Sequence, residues 1–170
     1  SAGAGRGGHT ARAVHVDGAQ GPAWAVVSVG ANFTGFELQG DTQLGSAFGV
    51  DWKADASADF VRAKLDAGGN LPLIPPLTVN AGIEGNYNGV TGRLEAQYAA
   101  KQDDVAAFET PTDSYLTVNA RLGFEIAEGV KLSLEGRNLT DEEVRLHASP
   151  LKDIAPMTGR NFRVAIRAEF

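Results

Sequence analysis

The chain has 170 residues, 43% of them hydrophobic and 21% charged, a length typical of one folding unit or of a piece of a larger one. Its 15 Lys and Arg against 21 Asp and Glu give a net charge of −6, which argues against a nucleic-acid-binding protein, because such proteins carry a basic surface. The absence of cysteine excludes disulfides and thiolate metal sites, and no apolar run reaches the roughly 18 to 20 residues of a transmembrane helix.

The first 30 residues are expected to differ from the rest. Glycines at positions 3, 5, 7 and 8 indicate a flexible loop, and only residues 12–17 show the alternation of a strand. The sequence begins without an initiator Met or a secretion signal, which favours a mature product or a fragment. Residues 1–30 are therefore predicted to form a glycine-rich loop with a partial strand.

From residue 31 onwards, apolar and polar residues alternate in about seven segments. A period of two is typical of strands with one apolar face. The pattern is cleanest at the C-terminus, where Phe162, Val164 and Ile166 are separated by Arg163 and Ala165. The other six segments lie at residues 36–39, 50–60, 77–87, 93–98, 116–126 and 130–135.

Strand and loop lengths favour a membrane β-barrel. Several segments reach the roughly 9 to 11 residues of a tilted membrane-spanning strand, whereas soluble strands cluster near 5 to 6. Short and long connections also alternate, as in outer-membrane barrels, and they lie at residues 45–47, 88–89 and 127–129 (short) and 66–76, 103–113 and 141–158 (long). A soluble β-sandwich acting as a binding module is an alternative that explains the alternation of residues.

The number of predicted strands bears on whether this chain alone can close into a barrel. If the chain ends in the periplasm, all three long loops and residues 1–30 are extracellular. Seven strands is an odd number, and an open sheet in lipid leaves backbone groups unpaired at a cost of several kcal/mol each. Either residues 31–170 are the C-terminal strands of a larger barrel, which we favour, or residues 12–17 close a small eight-stranded barrel with a structural or adhesive role.

Two motifs near the C-terminus resemble the closing hairpin of TonB-dependent outer-membrane receptors. Residues 138–141 (NLTD) follow a strand, and residues 159–162 (GRNF) open a final strand that ends in Phe170. Residues 35–38 (GFEL) and the loop 70–76 (NLPLIPP) also resemble these barrels. The resemblance spans about residues 31–170.

Two loop segments resemble the zinc-uptake receptors within this family, residues 108–115 (FETPTDSY) and 147–156 (HASPLKDIAP). The family resemblance implies an all-β fold, here an antiparallel transmembrane β-barrel segment with about seven strands of a 22-stranded, plugged barrel in the bacterial outer membrane. It also implies uptake of a scarce nutrient, a metal ion or a metal complex. No enzyme signature is present: there is no nucleophile elbow, phosphate-binding loop or HExxH motif.

The resemblance implies partners as well. The sequence has about a third of the strands of such a barrel and neither the plug nor the short N-terminal box that contacts the energy-coupling protein of the inner membrane. The expected partners are therefore the remaining strands and the plug of the same receptor, that inner-membrane protein, and lipid. Nucleic acid is not expected as a partner.

Candidate metal ligands are few. Histidine is the usual nitrogen ligand of zinc, and the three histidines, His9, His15 and His147, all fall on the predicted extracellular side. A zinc site takes three or four protein ligands, so carboxylates must contribute. The candidate metal set is His147, Asp153 and His15, with further carboxylates at Glu109, Glu142 and Glu143. The alternative is that His147 packs or hydrogen-bonds within its loop. No resident cofactor is predicted, and zinc or another metal is a candidate transported ligand.

Five further residues are candidates for structural or assembly roles: Asn138, Asp141, Gly159, Arg160 and Phe170. The Asn and Asp are expected to form a turn at the strand exit. The glycine is expected to permit the tight start of the last strand. Arg160 is expected to pair inside the barrel with Glu135 or Glu125. Phe170 is expected to anchor the chain at the membrane interface, and the resemblance implies its recognition by the barrel-assembly machinery.

Overall fold

The computed structural model describes the backbone of residues 8–18 and 21–169, and side chains from residue 30 to 169. These residues form one antiparallel sheet of eight strands in chain order. The strands are β1 (Gly8–Gly18), β2 (Gly21–Ala47), β3 (Val50–Leu65), β4 (Thr78–Tyr87), β5 (Val90–Ala99), β6 (Tyr115–Ala127), β7 (Val130–Arg137) and β8 (Asn161–Ala168). Within this part of the chain, no helix is long and apolar enough to cross a bilayer.

The seven predicted strands are confirmed as β2–β8, and β1 is an eighth strand that contains the predicted partial strand. The structure differs from the prediction for residues 21–30, which belong to β2 and not to a loop. They pair with β1, so that the β1–β2 hairpin extends beyond the end of β3, where Leu65 pairs with Ala31. Alternation does not reveal this extension, because residues 23–29 (AWAVVSV) are apolar almost throughout.

The sheet is open over the described residues. β1 and β8 are its two edges, and β1 pairs only with the first part of β2, residues 21–31. The described strands therefore do not close the eight-stranded barrel that was the alternative. They also form a single layer, which contradicts the soluble β-sandwich.

The large apolar side chains of the alternating rows are mostly exposed. Large hydrophobic side chains on β2 and on each strand from β4 to β8 are exposed, including Leu38, Ile83, Leu94, Leu122, Leu134 and Ile166. The buried apolar residues belong instead to two small clusters next to the long loops: Ala31, Ala63 and Leu71, and Ala99, Tyr115 and Val144. This arrangement is the inverse of a soluble core and fits a sheet whose apolar face contacts lipid.

The turns at one end of the sheet are tight. Phe48–Gly49 and Asn88–Gly89 have positive φ at both residues, as in the type I′ turns that match the twist of two-residue hairpins. The first turn was predicted at residues 45–47. Gly45 instead occupies a β-bulge, with φ 87°, so the strand continues through it to Ala47.

The three long loops, residues 66–77, 100–114 and 138–160, lie together at the other end of the sheet. Hydrogen bonds join the loops to one another, and they bring the candidate site residues of the last two loops into contact.

Candidate functional site

The polar face of the sheet carries charged side chains that bridge neighbouring strands. The Arg93 guanidinium on β5 makes two hydrogen bonds to the Asp55 carboxylate on β3, with N–O distances of 2.6 and 2.9 Å. Its Nε donates to Glu95 at 3.1 Å. Arg93 reaches across β4 because Gly82 lies between these strands without a side chain: a Cβ there would be 2.9 Å from Asp55 Oδ2 and closer still to Arg93 Nη2.

Replacing Gly82 by Ala is therefore expected to break the Arg93–Asp55 pair. We expect a loss of about 1 to 3 kcal/mol in unfolding free energy, because one partly buried charge pair is separated. Urea unfolding of the complete receptor in lipid measures the change in unfolding free energy. Gly40→Ala is the matched control, since an added Cβ there meets no atom of the described residues within 4 Å. Equal effects of the two substitutions would contradict the assigned role of Gly82.

A second group of charged residues lies on β6–β8. Nη2 of Arg121 and Nη2 of Arg137 both lie 3.0 Å from the same atom, Glu135 Oε1. Arg163 is directly opposite Glu135 in the β7–β8 register, so it shares this face of the sheet. We call Arg121, Arg137 and Arg163 the arginine cluster.

A cleft opens between this face and the loop 138–160. It has a volume of about 340 Å³, and we call it the mouth cleft. Its polar wall includes Gln97, Asn119 and Arg137, and its loop side includes Leu146 and Met157. A neighbouring cleft of about 270 Å³ continues along the wall and shares Asn119 and Arg137 with the mouth cleft.

Asn138 fastens the two ends of the loop 138–160. Its buried side chain donates to the carbonyl oxygens of Glu142 and Thr158 at 2.8 and 3.5 Å, and its Oδ1 accepts from Thr140 and from the Glu142 amide. The backbone N–H of Asn138 donates to Asn119 Oδ1 at 2.9 Å. The side chain thus joins the exit of β7 to the approach to β8.

Asp141 makes a parallel connection to residues 159–160. Its Oδ1 accepts from the Arg160 amide at 3.0 Å, and the Arg160 guanidinium lies 3.5 Å from Oδ2. This differs from the expected pairing of Arg160 with Glu135 or Glu125. Glu135 lies opposite Arg163, three residues farther along the chain, and already binds two arginines. A Cβ on Gly159 would be 3.2 Å from Asp141 Oδ1, so a side chain there would crowd this contact.

Asn138→Ala is expected to release the loop 138–160 from the sheet. Removing the amide leaves the Glu142 amide and two carbonyls without their partner, at a cost of about 2 kcal/mol. Limited proteolysis of the complete receptor should then cleave this loop about 30-fold faster, as that energy implies. Asn161→Ala is the control, because among the described residues its side chain bonds only the nearby Gly159 carbonyl. Unchanged cleavage in Asn138→Ala would show that the loop is held by other contacts.

His147 lies at a junction of all three long loops. Its Nε2 is 3.2 Å from Glu109 Oε1 and its Nδ1 is 2.9 Å from Thr112 Oγ1, while the side chain is 1% exposed. The carboxylate of Glu109 also accepts from the amides of Leu73, at 2.8 Å, and Ala106, at 2.9 Å. We call Glu109, Thr112 and His147 the loop junction.

The protonation of His147 follows from these contacts. Burial lowers the pKa of the imidazole, with the nearby Lys152 ammonium acting in the same direction and the Glu109 carboxylate opposing it. In the neutral ring, Nε2–H donates to Glu109 and Nδ1 accepts from the Thr112 hydroxyl. Both nitrogens are thus engaged by protein groups.

Lys152 and Asp153 form a second contact between the loops 100–114 and 138–160. The buried Lys152 ammonium donates to the carbonyl and hydroxyl oxygens of Thr110, and Asp153 accepts from the same hydroxyl. That hydrogen bond, together with the Lys152 charge, holds the pKa of the Asp153 carboxyl below its usual value. Arg145 extends the contact by donating to the Lys152 carbonyl at 2.6 Å.

The structure thus gives the predicted metal ligands His147 and Asp153 different hydrogen-bond partners. His147 is in the loop junction, and Asp153 is bound by Thr110 and Lys152. The side chain of His15 lies outside the described part of the chain, as do His9 and Phe170. Between residues 30 and 169, no three His, Asp or Glu side chains are grouped to hold a metal ion. The metal set therefore stays a prediction.

Sequence reasoning missed Thr112, Lys152 and the arginine cluster. Alternation places the arginines on the polar face of their strands, and this could have been read from the sequence. That they lie around Glu135 depends on strand register, which the sequence does not show. Nothing in the local sequence marks Thr112 or Lys152, because their partners come from another loop.

Comparisons with known proteins agree with this geometry. The family model described as TonB dependent receptor-like, beta-barrel, matches residues 6–139. A comparison with curated proteins found no match.

Two solved structures show the same fold. The copper transporter OprC aligns with a TM-score of 0.79 at 22% identity, covering 95% of this chain and 28% of that one. The ferripyoverdine receptor of the outer membrane of Pseudomonas aeruginosa aligns with a TM-score of 0.69 at 16% identity, covering 95% and 24%. The chain thus spans about a quarter of the length of each of these proteins.

Proposed function

Because the chain belongs to the TonB-dependent receptor β-barrel family, we propose that it forms part of the wall of a bacterial outer-membrane receptor that takes up a scarce nutrient, a metal ion or a metal complex. The family supports a role in transport and not in catalysis. The chain contributes the C-terminal strands, residues 31–170, preceded by residues 1–30 on the extracellular side.

One observation carries this proposal: the two faces of the sheet are suited to different surroundings. The exposed apolar rows suit lipid, while the opposite face carries ion pairs and two clefts that suit a water-filled or protein-filled interior. The three long loops lie at one end of the sheet, where an incoming ligand would arrive.

The remaining parts of the receptor are proposed from the family. Among the described residues, β8 and the part of β2 from residue 32 to 47 have a partner strand on one side only, so further strands are needed to satisfy their backbone groups in a membrane. We propose that these strands and a plug belong to the same receptor, and that an energy-coupling protein of the inner membrane drives uptake.

The proposed cargo rests on structural likeness and on residue chemistry. The two solved neighbours are a copper transporter and a ferripyoverdine receptor, so a metal-containing cargo is supported for this fold. Zinc is our candidate metal, with His147, Asp153 and His15 as candidate ligands. In the described conformation, His147 must release Glu109 and Thr112 before it can coordinate a metal.

Uptake by cells carrying the complete receptor tests this proposal. We expect metal-limited cells to accumulate zinc, supplied both as the free ion and as a chelate, only when the receptor is present and the inner membrane is energised. Cells that express the receptor but lack the energy-coupling protein are the control. Equal accumulation in receptor-free cells would overturn the proposal.

A further inference from the structure

The turn between β4 and β5 holds the one asparagine in the sequence that is followed by glycine, at Asn88–Gly89. Both residues have positive φ, 44° and 80°, as in a type I′ turn. The turn lies at the end of the sheet opposite the long loops, and both of its residues are exposed. Water therefore reaches this dipeptide in the folded sheet.

Asn88 also differs from the other asparagines in its hydrogen bonding. Of the eight asparagines in the sequence, it is the one whose side chain makes no hydrogen bond to any residue from 30 to 169. The nearest other asparagine, Asn86, accepts from the Thr91 hydroxyl at 2.6 Å and donates to Glu84 at 3.4 Å. The other six with bonded side chains are Asn32, Asn70, Asn80, Asn119, Asn138 and Asn161.

The unbonded amide and the following glycine together permit the main chain to attack the side chain. The nitrogen of Gly89 forms a bond to Cγ of Asn88, and the side-chain amide leaves as ammonia, taking the proton of that nitrogen. The product is a five-membered succinimide ring. Water then opens the ring at one of its two carbonyls and yields aspartate, or isoaspartate when the main chain is left running through the former side chain. Glycine favours the first step because it has no side chain to block its nitrogen and its backbone rotates easily.

We propose that Asn88–Gly89 is a site of spontaneous deamidation, where water converts the receptor to an aspartate or isoaspartate form. The turn must open transiently for the nitrogen of Gly89 to reach Cγ of Asn88, and the tips of exposed hairpins open at a low cost in free energy. The reaction needs only solvent, so it does not depend on the cargo or on the energy-coupling protein.

Conversion changes the charge and the length of the turn. A cleft of about 370 Å³ is lined by the turn and by three charged residues, Asp51, Glu125 and Lys131. A carboxylate at position 88 joins two carboxylates there against one ammonium, so it meets net repulsion. Isoaspartate also adds one carbon to the main chain of a two-residue turn whose twist matches its strands. The contact that we expect to weaken is the hydrogen bond from the Glu125 amide to the Gly89 carbonyl, at 3.1 Å.

Mass spectrometry of the complete receptor in lipid, incubated at mildly alkaline pH and digested at intervals, tests the inference. We expect the mass gain of amide-to-acid conversion to appear at Asn88 about tenfold faster, or more, than at Asn86, which must first release the Thr91 hydroxyl. Asn88→Gln should abolish conversion at this position, because the longer side chain would have to form a six-membered ring. Conversion at Asn86 should be the same in Asn88→Gln as in the wild type.

Amide hydrogen exchange at Glu125 measures the effect of conversion on the turn. In the isoaspartate form, exchange should be about tenfold faster, as expected for the loss of one hydrogen bond. Asn88→Asp is the matched control, because it adds the charge without lengthening the main chain, and it should accelerate exchange less than about threefold. An equal acceleration in Asn88→Asp would overturn the role given to the added main-chain carbon.

Two results would overturn the deamidation site itself. One is an unchanged Asn88 in the folded receptor over a time in which a peptide of residues 84–93 is converted, since the turn would then protect the asparagine. The other is conversion at Asn86 as fast as at Asn88. Either result leaves zinc uptake by energised cells unaffected, so the proposed function is tested separately.

Discussion

Leu94→Arg is expected to destabilise the receptor by about 2 to 4 kcal/mol, the cost of placing an arginine near the middle of the lipid-facing band. Leu94 is in the middle of β5, paired with Ile83 and Ala120, and is 51% exposed on the apolar face. A guanidinium at this position would be transferred from water into the hydrocarbon of the bilayer. Its neighbours, Ile83 and Ala120, offer no opposite charge. Urea unfolding of the complete receptor in lipid vesicles gives the free-energy difference.

Gln97→Arg is the matched control for Leu94→Arg. Gln97 is three residues along the same strand and on the opposite, polar face, where it lines the mouth cleft. Because that face is predicted to contact water or protein, the cost should stay below about 1 kcal/mol. A larger cost for Gln97→Arg than for Leu94→Arg would mean that the faces have been assigned the wrong way round.

Glu109→Ala is expected to open the loop junction. The substitution removes the acceptor used by the amides of Leu73 and Ala106 and by His147 Nε2–H. Because unpaired buried donors cost about 1 to 3 kcal/mol each, and water will reach some of them, we expect a loss of about 3 kcal/mol in local stability. Amide hydrogen exchange in the loops 66–77 and 100–114 should accelerate about 100-fold, as that energy implies.

Glu143→Ala provides the comparison for the loop junction. Glu143 is also a loop carboxylate, but its side chain is 67% exposed and, between residues 30 and 169, pairs only with Arg145. Its removal should change exchange rates less than about twofold, as is usual for exposed ion pairs. If Glu109→Ala left the exchange of the Leu73 and Ala106 amides unchanged, the junction would not be what holds these loops.

The sequence predicted the sheet well because strand patterning is local. Each strand from β2 to β8 shows which residues face outward through alternation alone, as Phe162, Val164 and Ile166 do on β8. The long loops were placed within a few residues for the same reason. The exception was the start of β2, where a nearly continuous apolar run hides the period of two.

The site was less predictable because its contacts join residues far apart in the chain. Arg93 meets Asp55, 38 residues away, only because β3–β5 align in one register and Gly82 leaves space. His147 meets Thr112 across 35 residues through two loops whose conformations follow no simple period. Residue type identified His147 as a candidate metal ligand. The residues that bond its two nitrogens, Glu109 and Thr112, could not be identified because they depend on how the loops fold.

Spin labels placed singly along β5 test the orientation of the sheet most directly. In the complete receptor reconstituted in lipid, labels at positions 94, 96 and 98 should collide frequently with oxygen dissolved in the bilayer. Labels at positions 93, 95 and 97 should be shielded from it. This alternation in oxygen accessibility is the result we predict. Low oxygen accessibility at positions 94, 96 and 98, with the apolar row packed inside protein, would contradict the account.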